Sequence, residues 1–537
     1  MTDDITPPAA ARDPADNSKM ARATAGISTF AVLGFLTGPV IKMILSRRLG
    51  TGPAANAYNF AYRLTQDVFR SWEKLIRPTY LPVLAREREH VGDEDAWRFT
   101  STIVNVQAIL LAVITLVLMV FSRQVVGLFS FPAEEASLSM RFLVVLAPAL
   151  FFLSLAVTGY MLLNSYKRFH LAAFGDQLFV KLVPLGALVA LYWLLGIHAL
   201  LLGIVFGAAA KLGLYIWGLR GEIRHYRFRL ALASPAMKSV GLLMLPLLVG
   251  VAVSFARNRV EDTFLTAVRQ GRAMTIVTYA KAPVDIPIQL FPVAMSIAIF
   301  PFISDYFAKK QLAELFAVLG KGVRIIFLAF LPLTVGLVIL AHPLIDVAFG
   351  GGKFGAEDVL LTSRTLRFYA IGYVFFGLEI LLLQFFYAAR DTWRPTYIGV
   401  ITSIVQLFIL SWLITLKGDD VGAFTLAYSV SKTVKVFILI ALLVSVYPHA
   451  KLWLGMLRRT GLAFLKIAAV TVVMGVIVYF LSEALKPHLA TAKTITGLAH
   501  LVVAAGVGGV IFVAGVHLLR VEEWRQAVDW VKRKLNR

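Results

Sequence analysis

The chain has no cysteine in its 537 residues. That excludes disulfides, thiol catalysis and cysteine-ligated metal. Its nine histidines and its carboxylates show no HExxH or comparable metal-ligand spacing. Acid is scarce, with 31 Asp and Glu against 53 Lys and Arg, for a net charge of +22. Such an excess suggests nucleic acid, but no basic soluble domain is present to bind it. In a polytopic protein, Lys and Arg instead collect in cytoplasmic loops. A cleavable signal is also missing. The opening stretch MTDDITPPAAARDPADNS is polar, Pro/Ala-rich and acidic at its start, whereas a signal begins basic and then turns apolar. It reads as a disordered cytoplasmic tail.

What the chain has is hydrophobicity: 58% of its residues and a mean hydropathy of +0.76. Apolar runs of 18 or more residues recur, each long enough to cross about 30 Å of hydrocarbon. Fourteen spans are expected, near 27–46, 56–80, 101–122, 141–163, 174–195, 198–219, 238–266, 274–304, 323–341, 361–388, 396–416, 421–447, 461–482 and 495–519. The fold class is therefore all-α, polytopic and membrane-embedded. The links alternate in charge. Basic ones are Arg77–Arg98, Lys167–His170, Arg220–Lys238, Lys309–Arg324, Arg390–Arg394, Lys451–Arg459 and the tail after Arg520. Neutral or acidic ones are Phe131–Ser137, Gly196–His198 and Lys417–Asp420. The positive-inside rule puts the basic set and both termini in the cytoplasm. Arg47, Arg48, Arg269 and Arg272 break the pattern, as tolerated strays or as the lining of an outward mouth. In the tail, Val521, Trp524, Val528, Val531 and Leu535 share a face ringed by Arg525, Lys532, Arg533 and Lys534, which predicts a basic amphipathic helix on the anionic leaflet.

Charge inside the apolar helices is the functional signal. In span two, Arg63, Asp67, Arg70, Lys74 and Pro78 recur at three or four residues and share one face. Charge at mid-bilayer depth costs a few kcal/mol or more, so such residues face a bundle interior or a water-filled cavity. A cationic cavity suits a polar, anionic cargo. Span seven carries Arg257, Arg259, Glu261 and Asp262. Arg257 and Glu261 are i,i+4 and Arg259 and Asp262 are i,i+3, so they form either an intrahelical ion-pair network or a cargo or gating site. Glu379 stands isolated in span ten and is a coupling candidate. Lys181, Lys211, Lys432 and Lys435 are read as snorkelling to an interface.

The two halves hint at a repeat. Ala61 and Pro82 are 21 residues apart, as are Ala280 and Pro301. The offset is six spans, so both copies share one orientation, and cargo would bind between parallel halves. Pro78, Pro82, Pro283, Pro287, Pro292 and Pro301 all fall in these two helices. They are candidate hinges.

Several motifs resemble one known family. Gly352-Lys353-Phe354, Asp358, Thr362, Leu366, Tyr369, Gly372, Phe386-Tyr387-Ala388, Asp391-Thr392 and Pro395 resemble the GKF…D…T…L…Y…G…FYA..DT..P signature of the MurJ/MviN family. Leu163-Asn164 with Arg168-Phe169 resembles its LN…RF link, and Gly50-Thr51-Gly52 with Ala55-Asn56-Ala57 its G.G.ATDAF turn. Tyr279-Ala280, Asp285, Pro287 and Pro301 resemble its YADRLMEFP…LLP segment. The resemblance implies a flippase of the multidrug/oligosaccharidyl-lipid/polysaccharide exporter superfamily. Two six-helix lobes would flank a cationic cavity, followed by two helices holding the lipid tail. The implied cargo is lipid II, the undecaprenyl-pyrophosphate-linked peptidoglycan precursor. It would cross the bacterial inner membrane without ATP, driven by membrane potential or a cation gradient, in agreement with the absence of a GxxxxGK[ST] loop.

The departures are equally specific. No arginine flanks Leu33-Gly34-Phe35 where the family has SR.LGF.RD, and Lys42 is the only nearby cation. The ATDAF aspartate is Asn56, the YADR pair is Lys281-Ala282, and only Arg70 carries over cleanly. The expected organisation is a tail at 1–20, an N-lobe at 21–220, a C-lobe at 221–450, a lipid-tail groove at 451–520 and an amphipathic tail at 521–537. Expected cargo residues are Arg70, Lys74 and Lys281, then Lys42, Arg63 and Arg257. Expected coupling or gating residues are Asp67, Asp285, Glu379, Arg259, Glu261 and Asp262. No enzyme activity, cofactor or nucleic-acid partner is expected; coupling to Na⁺ or H⁺ and a monomeric state are. The alternatives are an exporter of another undecaprenyl-linked glycan and a non-transporting scaffold of flippase descent. A drug exporter would favour an acidic cavity.

Overall fold

A computed structural model describes residues 37–90, 92–268, 272–389, 391, 393–418, 420–447, 449–485 and 495–535. The expected disordered tail, the Leu33-Gly34-Phe35 segment, Arg269, Arg390 and Thr392 lie outside them. Among the described residues there is no strand; one isolated bridge joins Gly351 to Phe354. The helices are α1 (37–49), α2 (Pro53–His90), α3 (Asp93–Val120), α4 (Ser122–Gly127), α5 (Ala133–Ser165), α6 (Phe169–Phe174), a π-helical turn (Gly175–Leu182), α7 (Val183–Leu195) and α8 (His198–Gly218). Then follow α9 (Pro235–Ala267), α10 (Ala273–Ala308), α11 (Leu312–Ile339), α12 (Ala341–Phe349), α13 (Ala356–Ile371), α14 (Tyr373–Ala388), α15 (Trp393–Lys417), α16 (Gly422–Val446), α17 (Ala450–Leu485), α18 (Ile495–Leu518) and α19 (Glu522–Leu535).

Nine of these described helices are long and apolar enough to cross a membrane, or up to eleven if two bent pairs each count as one span. The remaining expected spans correspond to α1, to the charge-rich α2 and to α10, which holds four prolines.

The chain divides into two compact units. The first holds the residues up to Ile41, Ala61–Val125 and Met140–Val251; the second holds Lys42–Phe60, Val126–Ser139 and the rest from Ala252. In the first, Ile76, Tyr80 and Val83 of α2 pack with Trp97 and Phe99 of α3, Met161 of α5 and Tyr215 of α8. Glycines set how closely its helices approach. A Cβ on Gly207 would lie 2.2 Å from the Phe179 carbonyl oxygen, and one on Gly175 would lie 2.4 Å from the Tyr215 ring. Only a missing side chain allows such contact. The Tyr215 hydroxyl donates to the Ala172 carbonyl at 2.6 Å, just before the π turn.

The second unit has its core among α10, α11, α13, α14 and α16. One span here is broken: α13 and α14 meet at Gly372 with a 41° bend. A break orphans backbone carbonyls, which hydrocarbon cannot satisfy. Hydroxyls of α16 do so instead. Ser429 donates to the carbonyls of Phe368 at 2.9 Å and Tyr369 at 3.2 Å, and Thr425 donates to that of Thr365 at 2.9 Å. Helix α19 is amphipathic as its pattern predicts. Val521 and Trp524 pack with Ile467 and Val470 of α17 and Val516 of α18, and Glu523 pairs with Arg324 of α11.

Candidate functional site

In the first unit the site begins with α2. Arg63, Asp67, Arg70 and Lys74 form a stripe on this helix, with Arg70 and Lys74 exposed and Arg63 and Asp67 half-buried. The other side of the helix carries the buried Leu64, Ile76 and Tyr80. Apolar positions thus anchor the helix on the side away from its charged stripe. One turn on, Arg77 pairs with Glu73 at 2.5 Å and lies over the Tyr160 ring. The snorkelling reading fails for Lys211. Its side chain is 5% exposed and its ammonium is 2.6 Å from Asp176. A carboxylate within reach replaces the water that a buried ammonium would otherwise seek. Lys181 donates to Gln177 at 2.7 Å.

The second unit holds the other expected residues. Lys42 donates to the Thr278 carbonyl at 3.3 Å. Lys281 lies 3.7 Å from Glu261 and over the rings of Tyr428 and Tyr369, 5.0 and 5.6 Å from their centroids. The Tyr369 hydroxyl donates to Asp285 at 3.1 Å. In α9, Arg259 and Asp262 form the expected i,i+3 pair at 2.9 Å. Arg257 donates to Asn258 at 2.8 Å, and Glu261 faces α10. Glu379 is not isolated. Lys432 and Lys435 each bring their ammonium to 2.7 Å from its carboxylate. These lysines therefore do not snorkel: one turn of α16 aims both at α14. The sequence clue was their i,i+3 spacing beside a lone intramembrane acid, but 53 residues separate Glu379 from Lys432.

A further network joins the family-like motifs. Asp358 Oδ1 accepts from Arg272 at 2.5 Å and from Thr51 at 2.8 Å, while Oδ2 accepts from the Gly355 N–H at 3.2 Å. Arg272 also donates to Thr51 at 2.9 Å. It clamps the Gly50-Thr51-Gly52 turn to α13. The Lys353 N–H donates to the Arg47 carbonyl at 3.0 Å. There Gly352, at φ +59°, passes so close that a Cβ would lie 2.0 Å from the Arg47 oxygen. Asn56, fully buried, donates to the Thr51 carbonyl at 2.9 Å and to Glu135 at 3.4 Å. Its oxygen accepts from the Thr275 hydroxyl at 2.5 Å. An amide can both donate and accept here, and an aspartate could not.

Two further features complete the unit. An apolar cavity of about 430 Å³ opens among α11, α12, α17 and α18, lined by Leu337, Leu344, Met474, Val478, Leu501 and Phe512. Among the described residues no group of His, Asp and Glu is arranged to hold a metal ion.

A family model described as "Lipid II flippase MurJ" matches residues 45–499. A protein named lipid II flippase MurJ from Burkholderia cenocepacia is 27% identical over 395 residues, covering 72% of this chain and 76% of its own. A probable lipid II flippase MurJ from Haemophilus influenzae is 24% identical over 474 residues, covering 84% and 90%. Among solved structures, one titled "Lipid II flippase MurJ, inward closed conformation" superposes with a TM-score of 0.76 at 18% identity, covering 94% of this chain and 99% of that one. An inward-facing MATE transporter of the MOP superfamily gives a TM-score of 0.63 at 13% identity, covering 75% and 92%. The structural likenesses establish a shared fold.

Proposed function

The chain belongs to the MurJ family of lipid II flippases, and from that membership we propose that it moves lipid II from the cytoplasmic to the periplasmic leaflet of the bacterial inner membrane. It is a transporter rather than an enzyme. The observation that carries the reading is that Arg63, Arg70 and Lys74 share one face of α2, opposite the buried Ile76 and Tyr80. A pyrophosphate carries at least two negative charges, and lipid cannot solvate it. Guanidinium forks and ammonium groups compensate it in a low-dielectric site. Of the first unit's cations, Arg70 and Lys74 are diphosphate ligands, supported by Arg63; of the second unit's, Lys281 is, supported by Lys42 and Arg257. The apolar cavity beside α17 and α18 takes the prenyl chain. Asp67 and Asp285 hold the cations apart between cargoes and couple transport to Na⁺ or H⁺ or to the membrane potential. Both termini face the cytoplasm, lobes 21–220 and 221–450 alternate access, and the working unit is a monomer.

The test is periplasmic exposure of lipid II in cells depleted of their own flippase and expressing this chain. Restoration by the wild type and loss with Arg70→Ala support the reading. An inserted chain that restores nothing removes lipid II as cargo. Export of another undecaprenyl-linked glycan then leads, a reading that the Lys281-Ala282 departure from YADR favours.

A further inference from the structure

Among the described residues, one cluster inside the second unit sets more ammoniums than carboxylates in direct contact. On α16, Tyr428, Lys432 and Lys435 fall at i, i+4 and i+7 and so share one face. They span about 10 Å of helix. The Tyr428 ring lies beneath two ammoniums, Lys281 from α10 at 5.0 Å and Lys432 at 5.4 Å. Glu261 faces Lys281, and Glu379 faces both Lys432 and Lys435. In these direct contacts three ammoniums meet two carboxylates. The Arg259–Asp262 pair is balanced and adds nothing. The groups are largely withdrawn from solvent: side-chain exposure is 21% for Lys281, 20% for Lys432, 13% for Lys435, 9% for Glu379 and 5% for Glu261.

A surplus of buried charge costs stability unless something arrives to balance it. A packed apolar stripe would hold α16 against α14 at less cost. Lysine also suits a ligand that must move on. Its ammonium is a point charge on a flexible stem, whereas the arginine fork fixes a phosphate in one orientation.

We propose that Lys435, Lys432 and Lys281 form a line of phosphate stations within the second unit, along which the lipid diphosphate passes. Glu379 and Glu261 are resident stand-ins that occupy the lysines between cargoes. The proposal rests on the flippase reading and extends its second-unit ligand, Lys281, to Lys432 and Lys435.

The test uses the full-length protein, with undecaprenyl diphosphate as the binding probe and lipid II translocation in liposomes as the transport readout. Glu379→Gln frees two lysines from competition. It should bind undecaprenyl diphosphate roughly tenfold more tightly and translocate roughly tenfold more slowly, because the station no longer releases its anion. Unchanged or weakened binding overturns the proposal, since a merely structural ion triad gives no gain in affinity. The triple variant Glu379→Gln, Lys432→Met, Lys435→Met leaves no orphaned charge and should stay folded. It should bind more weakly than wild type and translocate at a tenth of its rate or less; translocation at the wild-type rate overturns the proposal. Failure of the wild type to bind or move any diphosphate lipid instead overturns the flippase reading, and this proposal with it.

Discussion

Asp358→Asn tests whether the clamp joining the Gly50-Thr51-Gly52 turn to α13 holds the second unit together. Asp358 is 5% exposed and accepts three hydrogen bonds, from Arg272, Thr51 and Gly355. Asparagine keeps one oxygen for Arg272 and Thr51. It loses the charge, and it sets an N–H against the Gly355 N–H. A hydrogen bond to a charged partner contributes about 1.5–3 kcal/mol. The Arg272 side chain is 35% exposed, so water recovers part of that loss. The expected cost is about 2 kcal/mol, a fall in melting temperature on the order of a few degrees. The assay is thermal unfolding of the purified full-length protein, followed by intrinsic tryptophan fluorescence, as a double-mutant cycle with Arg272→Gln. The coupling energy should be at least about 1 kcal/mol. A single-variant change within about 0.5 kcal/mol, or strictly additive effects, refutes the clamp.

Asn56→Asp removes a buried donor and sets a second carboxylate against Glu135. It should destabilise by about 3 kcal/mol, with partial recovery on adding Glu135→Gln, both read by the same melt. Gly207→Ala pushes a methyl into the Phe179 carbonyl. It should cost about 2–3 kcal/mol and lower the yield of monodisperse protein. Gly213→Ala, with nothing within 4 Å of its Cβ position, should be neutral; equal yields from the two variants would discredit the packing argument. Glu523→Ala strips the half-buried Arg324 of its partner. Amide exchange across α19 should rise by roughly tenfold or more while α18 stays protected, and unchanged exchange would mean that Val521 and Trp524 alone hold the helix.

The helical class and the positions of most spans were legible because both are local properties. A run of apolar residues must satisfy its backbone internally, and period 3.6 places Arg63, Asp67, Arg70 and Lys74 on one face whatever surrounds them. The same logic identified the Arg259–Asp262 pair and the amphipathic α19. The partners of charges on different helices were not legible. Glu379 appeared isolated because Lys432 and Lys435 lie more than fifty residues away, and nothing in helical periodicity states which faces meet. Arg272 looked like a stray in a link until Asp358 and Thr51 closed around it.

Chain order and composition by themselves determined that this protein is a bundle of membrane helices with cations on chosen faces, since hydropathy and helical period act over a few turns. Only the tertiary structure decided which cations meet which carboxylates. A buried charge is priced by what lies within a few ångströms of it in space, and that distance is set by packing across helices, not by spacing along the chain.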